Sequence, residues 1–167
     1  GWGIGIATVV IVVVLALAGA YMLDYSLFPK MRHGHNLPWR LDNIISESPQ
    51  LRPWADSLKH CHALHDTVVL MPTGERHHAT YINASEPSRR VAVLVHGYRD
   101  NGMGMMHVAS IYYHMGYNIL LPDLHAHGKS EGEGVQMGWK DRLDVMRWMA
   151  VADSLWGGTK GTAMVLH

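Results

Sequence analysis

The longest run of hydrophobic positions lies at the N-terminal end of the chain. Residues 1–23 contain no charged side chain, and at about 1.5 Å per residue a helix from Ile4 to Leu23 would cross a hydrocarbon layer of about 30 Å. Trp2 and Tyr21 stand near its two ends, where aromatic side chains favour the membrane interface. A cleaved signal peptide is the alternative, but its apolar region is shorter, at about 7–15 residues. The pattern predicts one transmembrane helix over residues 1–23, with the lipid bilayer as its partner.

The orientation of this helix depends on the positive charges that flank it. They are counted on one side only, in the segment that contains Lys30, Arg32 and Arg40. We expect the folded part of the chain to lie on the extracytoplasmic side of a single-pass membrane protein.

A polar connector with several prolines and tryptophans follows, over residues 24–66, and one short helix is predicted within it from Pro53 to Leu64. Four potential zinc ligands lie within six positions of each other there: His60, Cys61, His62 and His65. On a helix, His62 and His65 would share a face while Cys61 would point elsewhere. No second ligand cluster with the usual spacing follows, so exposed helix residues are the better interpretation.

Strand and helix patterns alternate from Thr67 to the end of the chain. Gly74 stands in a turn between two strands, over residues 67–71 and 78–83, which predicts a hairpin. The continuous apolar run Val91 to Gly97 predicts a strand buried on both faces. A helix (102–115), a strand (117–123), a helix (138–157) and a strand (162–167) then follow. This order predicts an α/β fold with a mostly parallel sheet, right-handed crossovers and flanking helices.

Composition limits the possible functions. With 167 residues the chain can hold one modest domain. Fourteen basic and fourteen acidic side chains give a formal charge of zero, which argues against a nucleic-acid partner. Cys61 is the single cysteine, so an internal disulfide is excluded.

The segment HGKSEGEG contains Gly-x-Ser-x-Gly at Gly128, Ser130 and Gly132, a pattern typical of serine hydrolase nucleophiles. In that role the serine follows a strand directly and precedes a helix directly. Here the preceding strand ends near Leu121, and three glycines follow Ser130 where a helix should begin. Ser130 is therefore interpreted as a loop residue at the carboxyl end of a strand.

The same loop contains the patterns of two other possible sites. A phosphate-binding loop is excluded because Asp123 stands where that motif requires its first glycine. His125 and His127 form a His-x-His pair, but no third ligand lies nearby in the sequence, so no metal site is predicted.

The runs VAVLVHGYRDN, GYNILLPDLHAHGKSEGE, MGWKDRLDVMRWM and AMVLH together resemble the first half of an α/β-hydrolase of the serine aminopeptidase-like and monoacylglycerol-lipase-like branch. The resemblance covers about Leu64 to His167. It implies that His96 and Gly97 match the His-Gly of the family, and that the backbone N–H of Tyr98 matches an oxyanion donor. It also implies that Asp123 anchors the loop at the rim of the site.

The same resemblance places the nucleophilic serine directly after His167, and the catalytic acid and histidine further on. The 167-residue chain is therefore expected to lack the catalytic triad and to be inactive alone, and no cofactor or metal is expected. The first hypothesis is a fragment of a membrane-anchored serine hydrolase that cleaves a small ester or amide. The alternative is a non-catalytic, membrane-tethered binding module built on half of such a sheet.

Overall fold

The computed structural model describes residues 2–28 and 37–167, without the side chains of residues 37–39. The described α-helices are α1 (Trp2–Leu27), α2 (Leu37–Glu47), α3 (Arg52–His60), α4 (Met106–His114) and α5 (Asp141–Trp156). Short 3-10 helices, Pro49–Leu51 and Gly102–Met105, precede α3 and α4. The strands are β1 (His65–Leu70), β2 (Arg76–Ile82), β3 (Arg90–Val93), β4 (Asn118–Pro122) and β5 (Ala163–Leu166).

Helix α1 covers the predicted span from Trp2 onward and extends it to Leu27, while Gly1 lies outside the described residues. None of its side chains is buried, and its most apolar stretch of 18 residues has a mean hydropathy of 2.7. By length and composition it is able to cross a membrane, and a signal sequence meets the same description.

The five strands form one mixed sheet in the order β1-β2-β4-β3-β5. β1 and β2 are an antiparallel hairpin whose turn contains Gly74 at a φ of +89°, as the sequence predicts. β2 pairs antiparallel with β4, whereas β3 lies between β4 and β5 and is parallel to both. The prediction of an α/β fold with parallel strands joined through helices is confirmed.

Helices cover both faces of the sheet. On one face α2, α3 and α4 contribute Leu41, Leu58 and Met106 to a core that includes Ile119 and Leu121 of β4. On the other face, the wholly buried Trp148 of α5 packs with strand residues whose side chains point to that side of the sheet. They include Val91, Val93 and Leu120. Because successive side chains of one strand enter different cores, the central positions of β3 (91–93) and β4 (119–121) are all apolar.

The connector holds more structure than the sequence analysis predicted. Helix α2 was missed, although Leu41, Ile44 and Ile45 have helical spacing and are all buried. Helix α3 ends at His60 instead of Leu64, because the chain turns at His62 with a φ of +50°.

As a result, the four candidate ligands of the connector do not share one helix. His65 belongs to β1 and stacks on Tyr81 at a ring-centroid distance of 5.0 Å, and Cys61 is exposed. The expectation that His62 and His65 lie on one helical face is wrong.

Candidate functional site

The loops that follow β3 and β4 meet at one edge of the sheet because these strands are parallel and adjacent. Sites in α/β proteins form outside the carboxyl ends of such strands. This edge contains the residues that the sequence analysis singled out: His96, Gly97, Tyr98, Asp123 and Ser130.

Asp123 is the centre of the loop after β4. Its side chain is 1% exposed and accepts hydrogen bonds from the backbone N–H of Gly102 (2.8 Å), the backbone N–H of Lys129 (2.9 Å) and Nδ1 of His78 (2.9 Å). Burial by itself raises the pKa of Asp123, but the hydrogen bonds from His78, Lys129 and Gly102 outweigh it and hold the pKa below its ordinary value. The carboxylate therefore ties the rim loop to β2 and to the segment that leads into α4.

The glycines of the Gly-x-Ser-x-Gly pattern have structural reasons of their own. A Cβ at Gly128, which has a φ of +51°, would lie 2.2 Å from Cγ of Asp123. A Cβ at Gly132, at a φ of +126°, would lie 2.4 Å from Nε2 of His125. Both positions therefore need glycine for its backbone conformation and for the close approach of a buried side chain.

Ser130 lies inside this loop and not at the surface of a cleft. Its residue is 0% exposed, its Oγ donates to the carbonyl of Asp123 at 2.6 Å, and it accepts the N–H of His78 at 2.8 Å. A hydroxyl held in this way links the loop to β2, which supports its interpretation as a loop residue.

His96 and His127 connect the two loops reciprocally. Nε2 of His96 accepts the N–H of Leu124 at 3.0 Å, and Nε2 of His127 accepts the N–H of Arg99 at 3.2 Å. Nδ1 of His96 donates to the carbonyl of Gly97, and Nδ1 of His127 donates to the carbonyl of His125. Burial lowers the pKa of His96, more than the hydrogen bond to Gly97 raises it, and the neighbouring His127 lowers it further. Neutral imidazoles are what these contacts require, since each ring both donates and accepts.

The backbone N–H of Tyr98 has no hydrogen-bond acceptor among the described residues. Tyr98 lines a cleft of about 760 Å³ together with Gly97 and the end of β5, at Leu166 and His167. Gly97 has an ordinary φ, and a Cβ there would meet nothing within 4 Å. None of the described residues that line this cleft is Ser, Thr or Cys. The wall of the cleft thus includes a residue with an unused backbone N–H, while its described residues provide no serine, threonine or cysteine nucleophile.

The end of α1 lies against the same edge. The hydroxyl of Tyr98 donates to the carbonyl of Ser26 at 2.6 Å, and the N–H of Val135 donates to the carbonyl of Leu27 at 2.8 Å. The guanidinium of Arg99 lies 4.6 Å from the ring centroid of Tyr25. The apolar helix therefore ends beside the loops that border the cleft.

A second polar cluster was missed by the sequence analysis. The fold brings Glu75 and His77 next to His125. These two residues supply the additional ligand atoms that the sequence around His125 does not contain. His127, its partner in the His-x-His pair, is used to hold Arg99 instead. Asp144 of α5 lies next to His77, and burial, followed by the charge of Asp141, raises the pKa of Asp144 to about 6. No sequence spacing could have shown this cluster, because His125 lies far along the chain from Glu75 and His77.

Comparison with solved structures identifies proteins of similar fold. The Pyrococcus furiosus esterase Pf2001 superposes with a TM-score of 0.56 at 23% sequence identity, covering 62% of this chain and 40% of that chain. An alpha-beta serine hydrolase homologue from Coxiella burnetii gives a TM-score of 0.52 at 13% identity, covering 61% and 50%. DcsB, solved with its substrate analogue, gives 0.52 at 13% identity, covering 62% and 36%. The chain spans half or less of the length of each of these proteins.

No protein-family model matches the chain, and the search of curated proteins finds no significant match. The mixed five-stranded sheet and the superpositions show that the chain has an α/β-hydrolase fold. At these identities the likeness extends to the fold alone.

Proposed function

We propose that this chain is part of a membrane-anchored serine hydrolase that cleaves a small ester or amide, of the serine aminopeptidase-like and monoacylglycerol-lipase-like branch. The observation that carries the proposal is that Tyr98, whose backbone N–H is unused among the described residues, lines the same cleft as the carboxyl end of β5. In this proposal a serine placed after His167 attacks the substrate carbonyl carbon, and the N–H of Tyr98 stabilises the resulting oxyanion. A catalytic histidine takes the serine proton during this attack and gives it to the leaving alcohol or amine as the bond to that group breaks. Water then hydrolyses the resulting acyl-enzyme ester and releases the acid and the free serine.

The proposed roles of the loop residues follow from their contacts. His96 and His127 hold the loops after β3 and β4 together, which fixes the direction of the Tyr98 N–H. Asp123 anchors the rim loop. One oxyanion donor contributes about 3–4 kcal/mol to the stabilisation of a transition state, provided that its geometry is maintained. None of the described residues that line the cleft is a serine, threonine or cysteine, so the 167-residue chain alone is expected to be inactive.

Fluorophosphonate labelling tests the catalytic part of the proposal. We expect no labelling of the 167-residue chain, and labelling of a protein extended by the residues encoded after His167. The extended protein should hydrolyse short activated esters, and alanine at its new serine should abolish both signals. Ser130→Ala is the matched control and should remain labelled. If instead Ser130→Ala loses the label, or if no serine follows within five residues of His167, the non-catalytic binding module is the better reading.

A substitution at Gly97 tests the oxyanion donor in the extended protein. The space beside Gly97 is open, so Gly97→Val should keep the loop while placing a branched side chain next to the Tyr98 N–H. We expect a lower kcat/KM with little change in stability. Tyr98→Phe is the control and should keep most of the rate, because the proposed donor belongs to the main chain. Equal rates for Gly97→Val and the unsubstituted protein would contradict the role of this N–H.

Membrane attachment and orientation form the second part of the proposal. Because the end of α1 lies beside Tyr98 and Val135, insertion of α1 would bring the cleft next to the membrane surface. Membrane fractionation of the full chain, compared with a chain that lacks residues 1–24, tests the anchor. Recovery of the full chain in the soluble fraction without detergent would contradict it. For the orientation, the single exposed cysteine, Cys61, should react with a membrane-impermeant thiol reagent on intact cells if the domain is extracytoplasmic, and Cys61→Ser gives the background.

A further inference from the structure

Two buried histidines and a carboxylate converge at a point between the β1–β2 turn and the loop after β4. We propose that Glu75, His77 and His125 bind one Zn²⁺ ion. Nε2 of His77 and Nδ1 of His125 both face Oε2 of Glu75, at 3.8 and 3.1 Å. The ligand atoms of all three residues lie within 4.8 Å of one another. Ligand atoms about 2.1 Å from a tetrahedral zinc ion are about 3.4 Å apart, so only small side-chain movements are needed.

Both imidazoles are buried, and the burial of His125 favours a ligand for its Nδ1. His77 is 1% exposed and His125 is 7% exposed. Although Nδ1 of His125 lies near Glu75, it makes no hydrogen bond of acceptable geometry with any described residue. A buried polar atom without a hydrogen bond is unfavourable by itself. A divalent cation would use the lone pair of this nitrogen and would also neutralise the carboxylate of Glu75.

The surroundings hold both rings in the orientation that a metal site needs. Nδ1 of His77 lies 3.3 Å from Oδ2 of Asp144, and ligating histidines commonly donate their other ring N–H to a carboxylate. Nε2 of His125 packs against Gly132, and a Cβ at position 132 would lie 2.4 Å from this nitrogen. This contact directs Nδ1 of His125 toward Glu75. Two imidazoles and one carboxylate are a common zinc ligand set, with a further position open to water.

The cluster can be reached from solvent. Glu75 and His125 line a cleft of about 440 Å³ that adjoins the cleft at Tyr98 through the shared residue Val135. Gln136 lines the same cleft, and its buried Oε1 has no hydrogen-bond partner among the described residues. The cleft thus supplies an entry path and a further polar oxygen. A bound ion would join β2, the β1–β2 turn and the rim loop, and would stabilise the rim of the candidate active site.

The test uses the full chain in detergent micelles, stripped of metal with EDTA and equilibrated against buffered Zn²⁺. Metal bound per chain is then counted by mass spectrometry of the eluted protein. We expect one zinc ion per chain, and an apparent Tm higher by about 10 °C at free Zn²⁺ a thousandfold above Kd. Co²⁺ in place of Zn²⁺ should give the d–d absorption of a four-coordinate site.

Variants locate the site. Glu75→Gln and His125→Gln should each lower the zinc affinity about 100-fold, and Asp144→Asn should lower it about 10-fold while the Co²⁺ spectrum stays four-coordinate. His60→Gln, on an exposed histidine of the connector, is the matched control and should bind like the unsubstituted chain.

Failure of the unsubstituted chain to bind zinc overturns the proposal. Unchanged zinc affinity in both Glu75→Gln and His125→Gln also overturns it, because the ion would then be held elsewhere. If His125→Gln does not fold, as judged by circular dichroism, Glu75→Gln decides alone, since the side chain of Glu75 is one-third exposed and lies in a turn.

Discussion

Asp123→Asn should destabilise the domain by about 3 kcal/mol, although it replaces only one carboxylate oxygen by an NH₂ group. The carboxylate accepts from Gly102 N and His78 Nδ1 and from Lys129 N, and all three donors lie within 2.9 Å. Whichever way an asparagine amide is turned, its NH₂ group faces either the Gly102 or the Lys129 N–H. One buried N–H then loses its acceptor, at about 1–3 kcal/mol, and the remaining bonds lose the contribution of the charge. Asp123→Ala removes three charge-assisted bonds, together more than about 5 kcal/mol, and should prevent stable folding.

Urea unfolding of the full chain in micelles, followed by tryptophan fluorescence, measures this difference. The matched control is Asp42→Asn, which removes a largely exposed ion pair with Lys59 and should change stability by less than about 1 kcal/mol. Because the folded-state pKa of Asp123 is lowered, its contribution is present above the unfolded value of about 3.9 and is lost as the pH falls through the folded value. The difference in free energy of unfolding between Asp123→Asn and Asp42→Asn should therefore become smaller below about pH 4. If Asp123→Asn is no less stable than Asp42→Asn at neutral pH, the anchoring role is refuted.

Three further predictions concern the same edge of the sheet. Ser130→Ala should lower the free energy of unfolding by about 1–3 kcal/mol, because the N–H of the buried His78 loses its acceptor; a loss below about 0.5 kcal/mol in urea unfolding would contradict this. Burial lowers the pKa of His96 in the folded chain. The contribution of this neutral imidazole to the free energy of unfolding should therefore be fully present above about pH 6.5, and it should be lost as the pH falls from there through the folded-state pKa. His96→Gln should reduce that slope in urea midpoints measured from pH 5 to 8, and an unchanged slope counts against it. Arg40→Lys should cost about 1–2 kcal/mol, since it replaces a half-buried bidentate contact with Asp100, at 2.7 and 2.6 Å, by a single one. Equal unfolding midpoints for Arg40→Lys and the unsubstituted chain would rule this out.

The sequence by itself determined the elements whose burial is uniform. A charge-free run long enough to cross a bilayer can hardly form anything but an apolar helix, and α1 is that helix. The central residues of β3 and β4, 91–93 and 119–121, are all apolar because helices cover both faces of the sheet there. Helix α2 also left a signal, the spacing of Leu41, Ile44 and Ile45, which was missed because the segment around it is polar.

Only the tertiary structure decided what the polar residues do. The pattern around Ser130 has the spacing of a nucleophile motif, but its glycines are required by Asp123 and His125, which pack against them. Likewise the spacing of His125 and His127 suggested a pair, whereas the fold sends one ring to Glu75 and the other to the N–H of Arg99. Local sequence constrains backbone conformation and burial through short-range sterics and periodicity. The partner of a polar side chain depends on which distant segments the sheet order brings together, and no short pattern contains that information.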